Sequence, residues 1–197
     1  MHLKFYYINI KMETLRKKGK LKEKKLQDTL TEDEVKKLFG AAESQRDELV
    51  LKLLYYTGMR VSEMINIEKR DINFKEDVIK IRAEITKTRQ EANQPIPKLL
   101  KPFLESWSNY KQDNEKIIPL TKQRVWQLVK YYIKKVGITK DIHPHSFRHT
   151  YGTHIYEKTG DLGKVQELLR HKSLSSTGIY KHLSKQLKKQ TVDSVFN

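Results

Sequence analysis

The stretch PHSFRHTYGTHI, Pro144–Ile155, decides how the rest of the chain is read. Proline lacks an N–H and holds its φ near the helical value, so Pro144 marks the first turn of a helix. Counted from there, His145 and Arg148 lie three residues apart and share one helical face. His143, His145, Arg148 and His149 put four basic or imidazole groups within seven residues. A helix start directs bare N–H groups outward, so this cluster suits an anion. The same residues also describe a capped helix end with incidental histidines, and only the surrounding sequence separates the two.

Upstream stands TGMRVSE, Thr57–Glu63. Arg60 follows a glycine turn and precedes a helix start, where its side chain projects from a fixed backbone. Glu63 is placed either to pair with it or to serve that helix's N-terminus. Alone, this stretch reads better as a surface arginine held by a helix-end carboxylate. Downstream stands RHKSLSSTGIY, Arg170–Tyr180, with His171 nine residues ahead of Tyr180. Most tyrosines are half-buried aromatics, and a phenol of pKa about 10 is a poor nucleophile without nearby charge or a base. Two arginines and an imidazole around a phosphate change that. Guanidinium forks match phosphate oxygens, keep their charge and stabilise the extra negative charge of a five-coordinate phosphorus transition state.

Periodicity supplies the scaffold. Thr31 and Glu34 form a capping box, with Val35, Leu38 and Phe39 following at helical spacing. RDELVLKLLYYTG reads as a second helix stopped by Gly58, and VSEMINI as a short one. Between Asp71 and Pro97 the period changes to two. DVIKIRAEI alternates Val78, Lys80 and Arg82 against Ile79, Ile81 and Ala83, and PIP ends a returning edge segment, giving a β-hairpin with a long basic tip. Helices then return at KLLKPFLESWSNYK, TKQRVWQLVKYYIKKVG, SFRHTYGTHIYEKTG and DLGKVQELLRH; the last is expected to bury Leu162, Val165, Leu168 and Leu169. The expected class is mainly α with one small antiparallel β-sheet.

Composition narrows the function classes. The 197 residues suffice for one domain, or a domain with an arm. No apolar run approaches the roughly 18 residues that span a bilayer, and MHLKFYYINI lacks the features of a secretory signal, so no membrane role is expected. The absence of cysteine excludes disulfides and thiolate chemistry. Histidines 145, 149, 154 and 171 come without a carboxylate motif that would support zinc, so no metal is expected. Forty Lys+Arg against 24 Asp+Glu give a net charge of +16, which favours a polyanionic partner. Residues 11–27 are strongly basic without an apolar stripe, which reads as an arm or linker over 1–28.

Taken together, YYTGMRVSEMINI, PHSFRHTYGTHI and ELLRHKSLSSTGIYKHL resemble, in order, spacing and content, the three signature boxes of the tyrosine recombinase (phage integrase) family. The resemblance covers about residues 31–183 and implies that family's catalytic-domain fold, set at 29–183. It implies Arg60 as the first arginine, His145 and Arg148 as the H-x-x-R pair, His171 as the histidine before the tyrosine, and Tyr180 as the nucleophile. The family also uses a lysine at the hairpin tip. Lys87 in ITKTRQ fits because it precedes a threonine, and Lys80 is the alternative.

The implied reaction is cleavage and rejoining of double-stranded DNA through a 3′-phosphotyrosyl link. It exchanges one ester for another, so no cofactor, metal or ATP is called for. The small residues Ser173, Ser175, Ser176 and Gly178 would let the segment carry Tyr180 toward its phosphate. The resemblance further implies a homotetramer on DNA, a cytoplasmic, nucleoid-associated location, no small-molecule substrate, and a tail over 184–197 that docks on a neighbouring subunit. Two alternatives share the pattern: type IB topoisomerase-like relaxation, and a non-catalytic DNA-binding regulator. The chain departs from the family at Arg170, where glycine is usual; a side chain there is expected to point to solvent or to a DNA phosphate. The roughly 30 residues ahead of the catalytic region are also too few for the family's core-binding domain, which reads as a truncated or minimal form.

Overall fold

Helix α1 (Glu32–Gly40) starts where the capping box places it. The Thr31 hydroxyl accepts from the Glu34 N–H at 3.2 Å, and Glu34 accepts from the Thr31 N–H at 2.7 Å. The computed structural model describes residues 28–86 and 89–170. Helix α2 (Gln45–Thr57) is capped by Ser44 and buries Leu49, Val50, Leu51, Leu53 and Leu54. So many apolar faces mark it as a central helix rather than a surface one. It packs against α1, against α4 (Lys101–Ser108), against α5 (Lys122–Lys135) and against α6 (Pro144–Thr159). Short α3 (Val61–Met64) follows α2 after the turn at Gly58.

The sheet has three strands, β1 (Ile72–Asn73), β2 (Val78–Ile81) and β3 (Ala92–Pro95), antiparallel in that order. Ile79 pairs with Gln94 and Ile81 with Ala92. The alternation read in the sequence holds across β2, where Ile79 and Ile81 are fully buried and Lys80 is exposed. It stops at Ile81, short of the full stretch, because Ala83–Ile85 turns into a 3₁₀ helix. Arg82 is pulled back instead, donating to Asn66 O and to Glu68 at 3.0 Å each and pairing with Asp71 at 3.1 Å. Strand β1 was not expected: two residues are too few to show a period. It forms because the Asn73 side chain accepts from the N–H groups of Lys75 and Glu76, closing a tight turn back into β2.

One core runs from Leu30 through α2, β2, α4 and α5 to Phe147. Tyr132 of α5 is buried in it with its polar tip satisfied, donating to Asp47 at 2.9 Å and accepting from the Glu43 N–H at 3.1 Å. Burial pushes its phenol up to about 12. A smaller cluster joins Tyr156 of α6 to Val165 and Leu169 of α7 (Leu162–Leu169). Leu162 and Leu168 are only half-buried, because this two-turn helix is covered by α6 on one side. No described helix is long and apolar enough to cross a membrane.

Helix α6, which carries HPHSFRHT at its start, is anchored to the head of the described chain. The Leu30 N–H donates to the Thr150 hydroxyl at 3.0 Å, and that hydroxyl donates to Ser146 O at 2.9 Å. Lys140, just ahead of the helix, reaches Thr29 O and Glu34.

Candidate active site

Three segments converge on one end of α6. The first is the turn after α2. Gly58 holds φ 58°, ψ 17°, the left-handed conformation that ends the helix. A Cβ there would lie 2.7 Å from Cδ1 of Tyr151, so both backbone and space require glycine. The turn delivers Arg60 to the residue before α3.

Arg60 is held by Glu63, which performs both tasks its position allowed. One carboxylate oxygen accepts from Arg60 Nη1 at 2.8 Å and the other from the Arg60 backbone N–H at 2.9 Å. Glu63 is 1% exposed, whereas 28% of the Arg60 side chain faces solvent. The anchor is dry and the working end opens outward.

The second segment is α6. Arg148 is 3% exposed and donates to two backbone carbonyls, from Nη1 to Gly58 O at 2.6 Å and from Nη2 to Leu169 O. It therefore staples the turn that carries Arg60 to the end of α7. His145, one helical turn ahead, stacks its ring parallel to His143 at 6.5 Å and meets His149 edge-on at 4.7 Å. Desolvation of its ring lowers the His145 pKa from 6.5, and the positive charges of Arg148, His143 and Arg60 act in the same direction. A neutral imidazole is the form that accepts a proton. His145 and Arg60 line a cleft of about 270 Å³ with Met59, Val61, Ser62, Lys122 and Pro144.

The third segment is the end of α7. Arg170 occupies the left-handed region at φ 53°, ψ 48°. Its side chain does not point to solvent or stand ready for a DNA phosphate, as expected. It turns inward and donates from Nη2 to Glu63 Oε2 at 2.7 Å. The physical reason is the buried carboxylate, whose second oxygen draws the guanidinium in.

The structure thus brings Arg60, His145 and Arg148 together. Lys87, His171 and Tyr180 lie outside the described residues. Lys80, the alternative lysine, is on β2 and pairs with Glu91 at 3.1 Å, with both side chains about half exposed. Arg170 and Lys122 went unread as members of the site. Lys122 follows the Thr121 cap of α5 and shows no motif of its own. Arg170 stood out only by its departure from pattern.

The phage integrase family model matches residues 28–187. The chain belongs to the phage integrase family. It is 39% identical over 181 residues to tyrosine recombinase XerA of Pyrococcus horikoshii, an alignment covering 84% of this chain and 62% of that protein. The crystal structure of a XerA recombinase superposes with a TM-score of 0.74 at 26% identity, covering 86% of this chain and 65% of that one. The XerH site-specific recombinase bound to a palindromic difH substrate, in a post-cleavage complex, superposes with a TM-score of 0.71 at 25% identity, covering 88% and 55%. The chain spans about three fifths of the length of the curated relatives it matches. Within the phage integrase family, the expected catalytic-domain fold is the fold observed: mostly helical with a small antiparallel sheet.

Proposed function

We propose that this chain is the catalytic part of a site-specific DNA recombinase. The observation that carries the reading is the joint placement of Arg60 and Arg148, one open to a cleft and one locked behind it, with His145 beside them. Two guanidiniums at one point suit a phosphodiester and, more strongly, the doubly negative five-coordinate state through which its exchange passes. Membership of the family and similarity to recombinases solved with DNA support the same partner.

In this reading the phenolic oxygen of Tyr180 attacks the phosphorus as the bond to the 5′-oxygen breaks. Neutral His145 assists removal of the tyrosine proton, and Lys87 delivers a proton to the departing 5′-oxygen. Arg60 and Arg148 hold the non-bridging oxygens, and His171 bonds the phosphate. The products are a 3′-phosphotyrosyl link and a free 5′-hydroxyl. Attack by the 5′-hydroxyl of a second strand reverses the step and completes exchange. Residues 29–183 form the catalytic unit, 1–28 a basic arm, and 184–197 a tail that docks on a neighbouring subunit in a tetramer on DNA. The enzyme works in the nucleoid.

The test is a pool of nicked duplexes of randomised sequence in which the short cleaved fragment diffuses away and traps the covalent complex. A protein–DNA adduct is expected with the wild-type chain and not with Tyr180→Phe. No adduct with wild type, or an adduct that survives Tyr180→Phe, ends the reading.

A further inference from the structure

Glu63 is a single buried carboxylate shared by two arginines, Arg60 on Oε1 and Arg170 on Oε2. We propose that Arg170 is a positioning residue for phosphoryl transfer: by neutralising the second oxygen of Glu63, it leaves the charge of Arg60 uncompensated and available to the phosphate. This rests on the recombinase reading of the same site.

Three observations carry it. The first is the backbone. Arg170 ends α7 in the left-handed conformation that glycine adopts freely and a residue with a Cβ does not. A non-glycine residue persists there only where its side chain is held, and Glu63 holds this one at 2.7 Å. The second is an incomplete set of partners. Only 17% of the Arg170 side chain is exposed, and Nη1 is buried with no hydrogen-bond partner among the described residues. A guanidinium kept inside for its hydrogen bonds would be better satisfied. One kept for its charge need not be.

The third is the charge count. Arg60 and Glu63 by themselves form a neutral pair. Adding Arg170 leaves that group at +1, and Arg148, tied to Gly58 and Leu169 beside it, brings the cluster to +2. A phosphodiester carries one negative charge and its five-coordinate transition state carries two. The extra positive charge is therefore matched to charge that exists only in the transition state, which places its effect on the chemical step rather than on DNA binding. Arg148 holds the carbonyl of Leu169, the residue before Arg170, so the fixed arginine also fixes the third one.

The experiment compares Arg170→Gly and Arg170→Lys with wild type in single-turnover cleavage at saturating DNA. Two substrates are used: the ordinary phosphodiester, and one with a neutral methylphosphonate at the scissile position, which removes one negative charge from the transition state. On the phosphodiester, Arg170→Gly is expected to slow cleavage by roughly 10- to 100-fold, less than a donor touching the oxyanion supplies. Its DNA affinity should change by less than about 3-fold, as for an interaction made only in the transition state. On the methylphosphonate the two proteins should cleave within about 3-fold of each other, because its transition state carries one negative charge, which the +1 left by Arg60, Glu63 and Arg148 already matches. Arg170→Lys should recover most of the phosphodiester rate. Equal losses on both substrates would reveal a merely structural role and overturn the proposal, as would an unchanged rate or a loss confined to affinity. If Arg170→Gly melts below the assay temperature, the comparison of substrates is made with Arg170→Gln, with the same outcomes decisive. An adduct formed by wild type with no effect of Arg170 overturns this inference alone; no adduct from wild type removes the recombinase reading as well.

Discussion

Replacing Glu63 by glutamine keeps the side chain's volume and removes one negative charge from between two guanidiniums. In the wild-type protein the carboxylate is 1% exposed and accepts from Arg60 N, Arg60 Nη1 and Arg170 Nη2 at 2.9, 2.8 and 2.7 Å. An amide offers one oxygen for these donors and turns its NH₂ toward at least one of them. Breaking a buried ion pair by removing one partner costs about 3–5 kcal/mol. Arg60 and Arg170 keep 28% and 17% of their side chains in solvent, so screening trims this to about 2–4 kcal/mol. Arg170→Gly behaves differently: it deletes one cation and frees a left-handed backbone that costs a residue with a Cβ about 1–2 kcal/mol. In Glu63→Gln/Arg170→Gly the second stranded charge is gone, so the double variant should be more stable than the sum of the singles by at least about 1 kcal/mol. Urea unfolding of the whole chain at neutral pH measures all four proteins. Trp107, whose indole N–H donates to Ile117 O at 2.8 Å, gives a core fluorescence signal. A Glu63→Gln protein within about 0.5 kcal/mol of wild type, or two effects that simply add within that margin, refutes the shared-carboxylate account.

Three further outcomes follow from the same geometry. Gly58→Ala should destabilise the protein by about 2–4 kcal/mol, combining left-handed strain with a Cβ 2.7 Å from Tyr151; a change below about 1 kcal/mol in the same titration contradicts this. In the proposed reaction His145 acts as a neutral base; desolvation lowers its pKa from 6.5, so that form is lost as pH falls through the lowered value and cleavage should rise with pH on the acid side. His145→Gln should abolish that limb, and a limb centred above 6.5 in wild type speaks against the assignment. Tyr132→Phe should cost about 1–2 kcal/mol through its lost bonds to Asp47 and Glu43. The raised phenol favours the folded state in its protonated form, so Tyr132's contribution is complete below 10 and fades between 10 and about 12, visible as a wild-type stability decline steeper than that of Tyr132→Phe, in which Tyr55, also raised to about 12 by burial, still titrates.

What the sequence disclosed and what it withheld follow one division. Thr31 with Glu34, Gly58 after α2, and Pro144 in the first turn of α6 act through local backbone chemistry, and the structure has each element starting or ending where they predict. The pairing of Arg60 with Glu63 was visible for the same reason, being three residues apart on one turn. Arg170 reaches Glu63 across 107 positions, and Arg148 reaches Gly58 across 90. Such contacts depend on how α2, α6 and α7 pack, and no period or spacing encodes them. Strand β1 escaped because its two residues are defined by their partner strand, not by themselves. Within the motif-bearing segments, His145 and Arg148 were legible as residues. Their roles as neighbour and as staple were not.

The two central arginines rest on different kinds of footing, and this bears on how the site tolerates mutation. Arg148 grips peptide oxygens of Gly58 and Leu169, groups that every residue carries. Drift in side-chain identity at Leu169 leaves that acceptor in place, whereas Gly58 must stay glycine for the main chain to keep the path that presents its oxygen. Arg60 hangs on a carboxylate that itself answers to a second cation far along the sequence. Its surroundings can be rewired by paired exchanges at 63 and 170. Exchanges at 63 and 170 therefore alter the charge around Arg60 while the main-chain acceptors of Arg148 stay where they are.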